Sequence, residues 1–265
     1  MNGFLAVVAG GLSLGLSGAA MTGDLADCAK GNGMGAVHAC NRVVASAGPE
    51  DLKTGYYLKL RGVAYFKNQK YDLAIKDLNA VAQRNSLDPQ LFMIRADAYQ
   101  FTRQYEKAIR DYGVVIRLNG KYVRAYYNRA IAHRKLERYK AAINDFSSII
   151  QLKPKDALAY QNRGHIFLRM NTAEKAIPDF ERAVKLAPKS FNVHHSLGEG
   201  YFRAGKLDSA RDVWLKSCQY ASKEQTRNWQ TRLTKAGHFS GPVDGVCDRR
   251  IIEAFSSCAA NKCQF

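Results

Sequence analysis

The chain has 265 residues, 46% of them apolar and 24% charged. That is the make-up of a folded globular protein of one large or two small domains, and it excludes bulk disorder, collagen and a multi-span membrane protein. Forty Lys and Arg stand against 23 Asp and Glu, a net charge of +17, with an isoelectric point near 9.7, a balance that favours acidic partners.

At the N-terminus, Phe4 to Leu16 are apolar or small and uncharged. Ser17, Gly18, Ala19 and Ala20 follow, and Asp24 is the first charged residue. This is the order of a secretory signal, and it predicts a leader over 1–20 cut after Ala20. Met1-Asn2-Gly3 carries no Lys or Arg. The competing readings are an uncleaved anchor and a lipoprotein signal ending at Leu25-Ala26-Asp27-Cys28. The apolar stretch is short for a bilayer, its four glycines weaken it as a helix, and Asp27 argues against a lipobox. The mature protein is expected to be periplasmic or secreted, with no membrane span.

Beyond the leader the chain repeats every 34 residues. Gly62, Ala96, Ala130, Gly164 and Gly198 are equally spaced, and so are Ala74, Ala108, Ala142, Ala176 and Ala210. Tyr65, Tyr99, His133, Phe167 and Tyr201 follow the first series by three residues. Leu78, Tyr112, Phe146, Phe180 and Trp214 follow the second by four. Numbered from Gly55, the small residues fall at positions 8 and 20 of each repeat and the bulky ones at 11 and 24. Each repeat reads as two helices joined by a short polar turn, such as Lys67-Asn68-Gln69-Lys70.

This pattern resembles the tetratricopeptide repeat family, whose 34-residue helix pairs stack into a right-handed solenoid. The resemblance runs from Gly55 to Glu224 and predicts an all-α protein with five repeats at 55–88, 89–122, 123–156, 157–190 and 191–224. Small residues at 8 and 20 let the two helices approach, and large ones at 11 and 24 fill the space beside them. Pro154 and Pro188 sit at position 32, where the chain leaves the second helix. Pro178 lies well inside a helix and should remove one hydrogen bond there. Counting back one period puts Cys28 and Cys40 at positions 8 and 20 of a degenerate first repeat over 21–54, interrupted by Gly31, Gly33 and Gly35. In the repeat geometry those positions face each other. A disulfide there would stabilise by roughly 3 kcal/mol and would suit export; two buried thiols are the other reading.

Position 7 carries Arg61, Arg95, Arg129 and Arg163, and position 23 carries Asp77, Asp111, Asp145 and Asp179. In the fifth repeat both become apolar, as Leu197 and Val213. Residues that appear and vanish together are read as ion pairs joining the two helices of a repeat, since a half-buried Arg needs a carboxylate.

The resemblance implies a ligand groove lined by positions 2, 5, 6, 9, 12 and 13 of the first helices. Its cations are Lys59, Lys67, Arg124, Arg134, Lys135, Arg169 and Arg203, against the anions Asp97 and Glu199. Tyr127, Asn128, Gln161, Asn162 and His165 share it. Asn128 and Asn162 hold position 6, where family members often bond a peptide backbone. Cations beside amides suit an acidic or carboxylate-bearing extended partner; a solvated basic face without a role reads equally well. Nucleic acid is not expected as a partner, because export removes the protein from most of it and the basic residues are spread over all repeats.

The 34-residue pattern stops near Glu224. Helices are predicted over Asn228–Ala236, ended by Gly237, and over Arg249–Ala259. The Gly-rich stretch between them, with Phe239, Gly241-Pro242, Val243-Asp244-Gly245, then Ile251, Ala254 and Phe255, resembles a reduced peptidoglycan-binding-like domain over 225–265. The resemblance implies a wall-binding loop at Phe239, Gly241, Asp244 and Gly245, and makes peptidoglycan a second candidate partner. The tail reads first as a cap on the last repeat, which solenoids require, and the two roles are compatible. Cys218, Cys247, Cys258 and Cys263 allow three pairings. Cys218 with Cys247 and Cys258 with Cys263 is the easiest, and a zinc site is the alternative.

No phosphate loop, nucleophile elbow or zinc-helix motif occurs in the sequence. No catalytic residue, cofactor or metal is assigned. By register, His194 packs inward and His195 faces the groove, and His133 replaces the aromatic of position 11. The expected function is a non-catalytic binding scaffold in a bacterial envelope, its oligomeric state unassigned.

Overall fold

The computed structural model describes residues 18–47, 51, 53–84 and 87–261. The expected leader up to residue 17 therefore lies outside the described residues, as does Cys263. The described chain is all-helical, in consecutive packed pairs. It divides into two compact units, Met1–Asn119 and Gly120–Phe265.

The N-terminal unit contains α1 (Gly18–Lys30), α2 (Gly33–Ser46), α3 (Thr54–Lys67), α4 (Tyr71–Ala82), α5 (Pro89–Phe101) and α6 (Tyr105–Leu118). The C-terminal unit contains α7 (Val123–Lys135), α8 (Tyr139–Leu152), α9 (Ala157–Arg169), α10 (Ala173–Leu186), α11 (Phe191–Arg203) and α12 (Leu207–Cys218). Two further helices, α13 (Lys223–Lys235) and α14 (Arg249–Ala260), complete it. No helix among the described residues is long and apolar enough to cross a membrane. Helix α10 runs on across Pro178.

Each repeat is locked at one small–large contact. The position-20 alanines and position-24 residues are all buried. A Cβ added at Gly62 would meet Leu78 Cγ at 2.9 Å, and one at Gly164 would meet Phe180 Cε1 at 2.6 Å. At Gly198 the added atom would run into the Trp214 indole. Glycine at position 8 is thus a space requirement set by the residue at 24.

The turn between the two helices is equally regular. Position 15 is Gln69 (φ 60°), Arg103 (59°), Glu137 (55°), Asn171 (60°) and Gly205 (76°), left-handed every time. The next amide bonds back to the position-11 carbonyl, as in Lys70 N to Tyr65 O and Gln104 N to Tyr99 O. This closure satisfies the free carbonyls of the helix end, so the turn holds even where the residue is not glycine.

Arg61, Arg95, Arg129 and Arg163 each grip the aspartate sixteen residues on through two hydrogen bonds of 2.6–3.0 Å. Asp77, Asp111, Asp145 and Asp179 are buried. The arginines also reach outside their own repeat. Arg95 Nη1 donates to Asn79 Oδ1 at 3.0 Å and Arg163 Nη1 to Ser147 Oγ at 2.9 Å. Tyr99 donates its hydroxyl to the same Asn79 oxygen. Arg95 and Arg163 therefore join their repeat to the one before it as well as helix to helix.

The first helix pair differs from the register expected for it. Gly31 (φ 67°) is the left-handed turn residue, and its N–H bonds to Cys28 O as Gln69 bonds to Phe66 O. Asn41 accepts from Arg61 and Tyr65 as Asn79 accepts from Arg95 and Tyr99. These equivalences put the pair 38 residues, not 34, ahead of the next, so Cys28 and Cys40 stand at positions 12 and 24 rather than 8 and 20. Asn41 and Arg61 are separated by four more residues than Asn79 and Arg95. Positions 12 and 24 also meet elsewhere: Phe202 lies 5.8 Å from Trp214, ring to ring, and Tyr112 donates to Gln100. Cys28 and Cys40 are bonded, with Cα atoms 4.7 Å apart, and the bond takes the place of that contact.

Candidate functional site

The inner face of the C-terminal unit, built by the first helices α7, α9 and α11, encloses a cavity of about 830 Å³. One helical stripe supplies most of the wall. Gln161, His165 and Arg169 come from α9, and Asn192, His195, Ser196, Glu199 and Arg203 from α11, with Arg134 at the end of α7. The spacing of three and four residues places them on one face of each helix.

The other wall is the C-terminal tail. Trp229 of α13 stacks on His195 with ring centroids 4.5 Å apart, and Phe255 of α14 meets His195 edge-on at 4.6 Å. Phe255 also packs on Trp214, and Arg232 sits 4.9 Å above the Trp229 ring. A shared core of Trp214, Leu233, Phe239, Ile251 and Phe255 explains the docking. The disulfide from Cys218, the last residue of α12, to Cys247, just before α14, fixes it covalently. Cys258 lines the cavity beside Phe255; its expected pairing with Cys263 lies outside the described residues.

Polar groups form one rim. Ser196 Oγ donates to Asn192 O at 3.0 Å and accepts from Gln161 Nε2 at 2.8 Å, and His165 Nε2 lies 3.0 Å from the same oxygen. Burial holds His165 below the usual imidazole range, and Arg134, Arg203 and Arg169 add to this while Glu199 opposes it. Burial under the tail pushes His195 down to about 4, again against Glu199. Both imidazoles are therefore neutral at pH 7. Arg203 pairs with Glu199 at 2.8 Å, and its Nε is shielded from solvent without an acceptor. Arg134, Arg169, Arg203 and Arg232 thus line the cavity together with Glu199.

Several residues expected in the groove are occupied elsewhere. Position 5 acts between repeats. Lys59 pairs with Asp88 at the start of α5, and Tyr127 donates to Asp156, the residue capping α9, at 2.8 Å. Gln161 also donates to Asn192 O at 3.2 Å. Burial and the Asp156 carboxylate raise the Tyr127 hydroxyl well above its ordinary range. Lys67 donates to Lys30 O at the end of α1, and Asp97 is buried and accepts from Tyr112 at 2.6 Å. Asn162 donates to Leu158 O of its own helix at 2.8 Å. Asn128 has an interaction within the protein. Arg124 and Lys135 are exposed on α7.

In the expected wall-binding loop, Gly241 and Asp244 are partly buried and Gly245 is buried. Phe239 is buried, and a Cβ on Gly241 would lie 2.7 Å from its ring. Gln230, buried in α13, donates to Asp244 Oδ1 at 2.8 Å and accepts from Gly245 N at 2.8 Å. Gly245 needs its positive φ of 78°, and a side chain there would meet Lys223 O at 2.9 Å. Among the described residues no three His, Cys, Asp or Glu side chains cluster to hold a metal.

Glu199 and His195, read in the sequence as facing the groove, do line it. Ser196, at groove position 6 of the last repeat, and Trp229, Arg232 and Phe255 escaped the sequence reading as site residues. The last three belong to the tail, and no periodicity in the sequence predicts the face on which it docks.

Residues 123–156 and 157–190 each match a tetratricopeptide repeat family model. Among solved structures the chain resembles a crystal structure of a MamA protein at 21% identity, TM-score 0.60, over 63% of this chain and 92% of that one. MamA 41-end from Desulfovibrio magneticus RS-1 is likewise 21% identical, TM-score 0.57, over 63% and 94%. These matches support a tetratricopeptide-repeat protein and share its fold. No curated protein matches the chain.

Proposed function

We propose that the protein is a non-catalytic interaction scaffold, exported to the cell envelope, that receives an acidic partner segment on the inner face of its C-terminal unit. The observation that carries this is the gathering of Arg134, Arg169 and Arg203 on one wall of the cavity, with Glu199 beside them. Repeat proteins use such faces for partners, and arginine favours carboxylate and phosphate. The Cys28–Cys40 and Cys218–Cys247 disulfides fit an oxidising compartment, in keeping with the leader read at residues 1–20.

Fluorescence anisotropy with labelled acidic, neutral and basic peptides tests the reading. Acidic peptides should bind, and the triple change Arg134→Glu, Lys135→Glu and Arg169→Glu should abolish binding. Equal binding of all three peptide classes would sink it.

A second reading keeps the tail as a wall contact, resting on Val243 and Val246, which remain exposed on the loop. Co-sedimentation with purified sacculi that survives moderate salt and needs residues 225–265 would favour it.

A further inference from the structure

We infer that the ring cluster of Phe66, Tyr71 and Phe101, on the N-terminal unit, is an anchor site for one aromatic side chain carried in an acidic partner segment. This anchor rests on the scaffold reading for the acidity of the partner and adds a second contact, on other helices.

Phe101, the last residue of α5, is 62% exposed. Its position in the repeat, 13, carries Lys67, Lys135, Arg169 and Arg203 in the other four repeats. A charge is thus the usual occupant, and this repeat places a phenyl ring in water instead. The ring is not isolated. Tyr71, the first residue of α4, stacks on it with planes 6° apart and centroids 4.7 Å apart. Phe66 of α3 lies 6.0 Å from Phe101 and 5.6 Å from Tyr71. Three rings from three helices form one apolar surface, with Tyr71 against one face of Phe101 and the other face open. Packing between repeats accounts for Phe66 and Tyr71, both half-buried, but does not require Phe101 to stay in water. One further ring, in offset or edge-on contact, continues the stack and covers that face.

The turns that carry the rings set the charge of the guest. Over residues 67–72 and 101–107, Lys67, Lys70, Arg103 and Lys107 stand against Asp72 and Glu106. Lys67 is tied to Lys30 O and Lys107 to Gln104 Oε1. Lys70, next to Tyr71 in the chain, and Arg103, two residues past Phe101, are exposed and have no ion-pair partner among the described residues. Apolar patches rimmed by polar residues mark interaction surfaces, and here the two available cations complement carboxylates flanking the incoming ring. A cationic segment would be repelled, and a neutral sugar would leave both cations unanswered.

Fluorescence anisotropy with the full-length oxidised protein tests this. The probes are two labelled peptides rich in Asp and Glu, identical except for one central Phe or Ala. The Phe peptide should bind about tenfold more tightly than the Ala peptide. Phe101→Lys, which installs the residue type of the other repeats at an exposed site, should erase that preference with an unaltered circular dichroism spectrum. Phe101→Trp should retain it. Equal binding of the two acidic peptides to the native chain, or a preference that survives Phe101→Lys, overturns the anchor and leaves the scaffold reading standing. A Phe101-dependent preference with binding unaffected by the triple change at Arg134, Lys135 and Arg169 does the reverse. Displacement of the Phe peptide by neutral N-acetylglucosamine oligomers would assign the rings to a glycan and overturn the anchor. Failure of both acidic peptides to bind overturns both.

Discussion

At the scale of single residues, space and backbone angle explain identities that composition does not. Gly164 faces Phe180 so closely that an added methyl would meet its ring at 2.6 Å. Gly164→Ala should therefore cost about 1–3 kcal/mol, read as a lower urea midpoint with unchanged slope, and Phe180→Leu in the same chain should recover part of it. The repeat with Ala130 opposite Phe146 shows that a slightly wider pair is buildable, which keeps the expected cost moderate. Glu137 is the opposite case. Its φ of 55° is one that a side chain resists by about 1 kcal/mol, while glycine accepts it freely. Glu137→Gly should raise stability by about 0.5 kcal/mol after glycine's larger unfolded-state entropy is counted. A loss in thermal unfolding would show that the Glu137 side chain contributes more than its backbone costs.

At the scale of elements, the tail is the part whose placement decides the site. Cys218–Cys247 closes 29 residues of sequence separation, worth about 3–4 kcal/mol in the chain-entropy account. Replacing both with Ser should speed amide exchange in α13 and α14 by about a hundredfold, with α7–α10 little changed. The same docking buries His195. A base whose folded-state pKa lies below its unfolded value contributes stability that is whole above the unfolded value and is lost as the pH falls toward the folded one. For His195 the window runs from about 6.5 down to about 4, and the loss reaches up to about 3 kcal/mol. His195→Gln should flatten the stability profile across that window. An identical acid slope in the variant would place the sensitivity elsewhere, with His165 the next group to examine.

At the scale of the whole molecule, the charge of +17 acts over distances that individual contacts do not. Association with an acidic peptide should slow by about tenfold between about 0.05 and 0.15 M salt, measured by stopped-flow tryptophan fluorescence; a salt-independent rate would mean that local contacts, not the overall field, guide encounter. The helix pairs, the small residues at positions 8 and 20 with bulky ones at 11 and 24, and the arginine–aspartate partners were legible in the sequence, because each repeats with a fixed period and periodicity survives in one dimension. The Cys28–Cys40 pairing was legible too, since its spacing of twelve joins two faces in contact whether the register is 8 and 20 or 12 and 24. The register itself was not legible: four extra residues before α3 break the count without leaving a mark in composition. Neither was the fate of Lys59, Tyr127 and Gln161, whose side chains pair with the residues capping α5 and α9 and with Asn192 and Ser196 of the next repeat instead of solvent. The tertiary structure alone decided that Trp229, Arg232 and Phe255 complete the cavity. A tail that occurs once has no period to betray its docking face, and its position follows from apolar surfaces that meet only after the chain has folded.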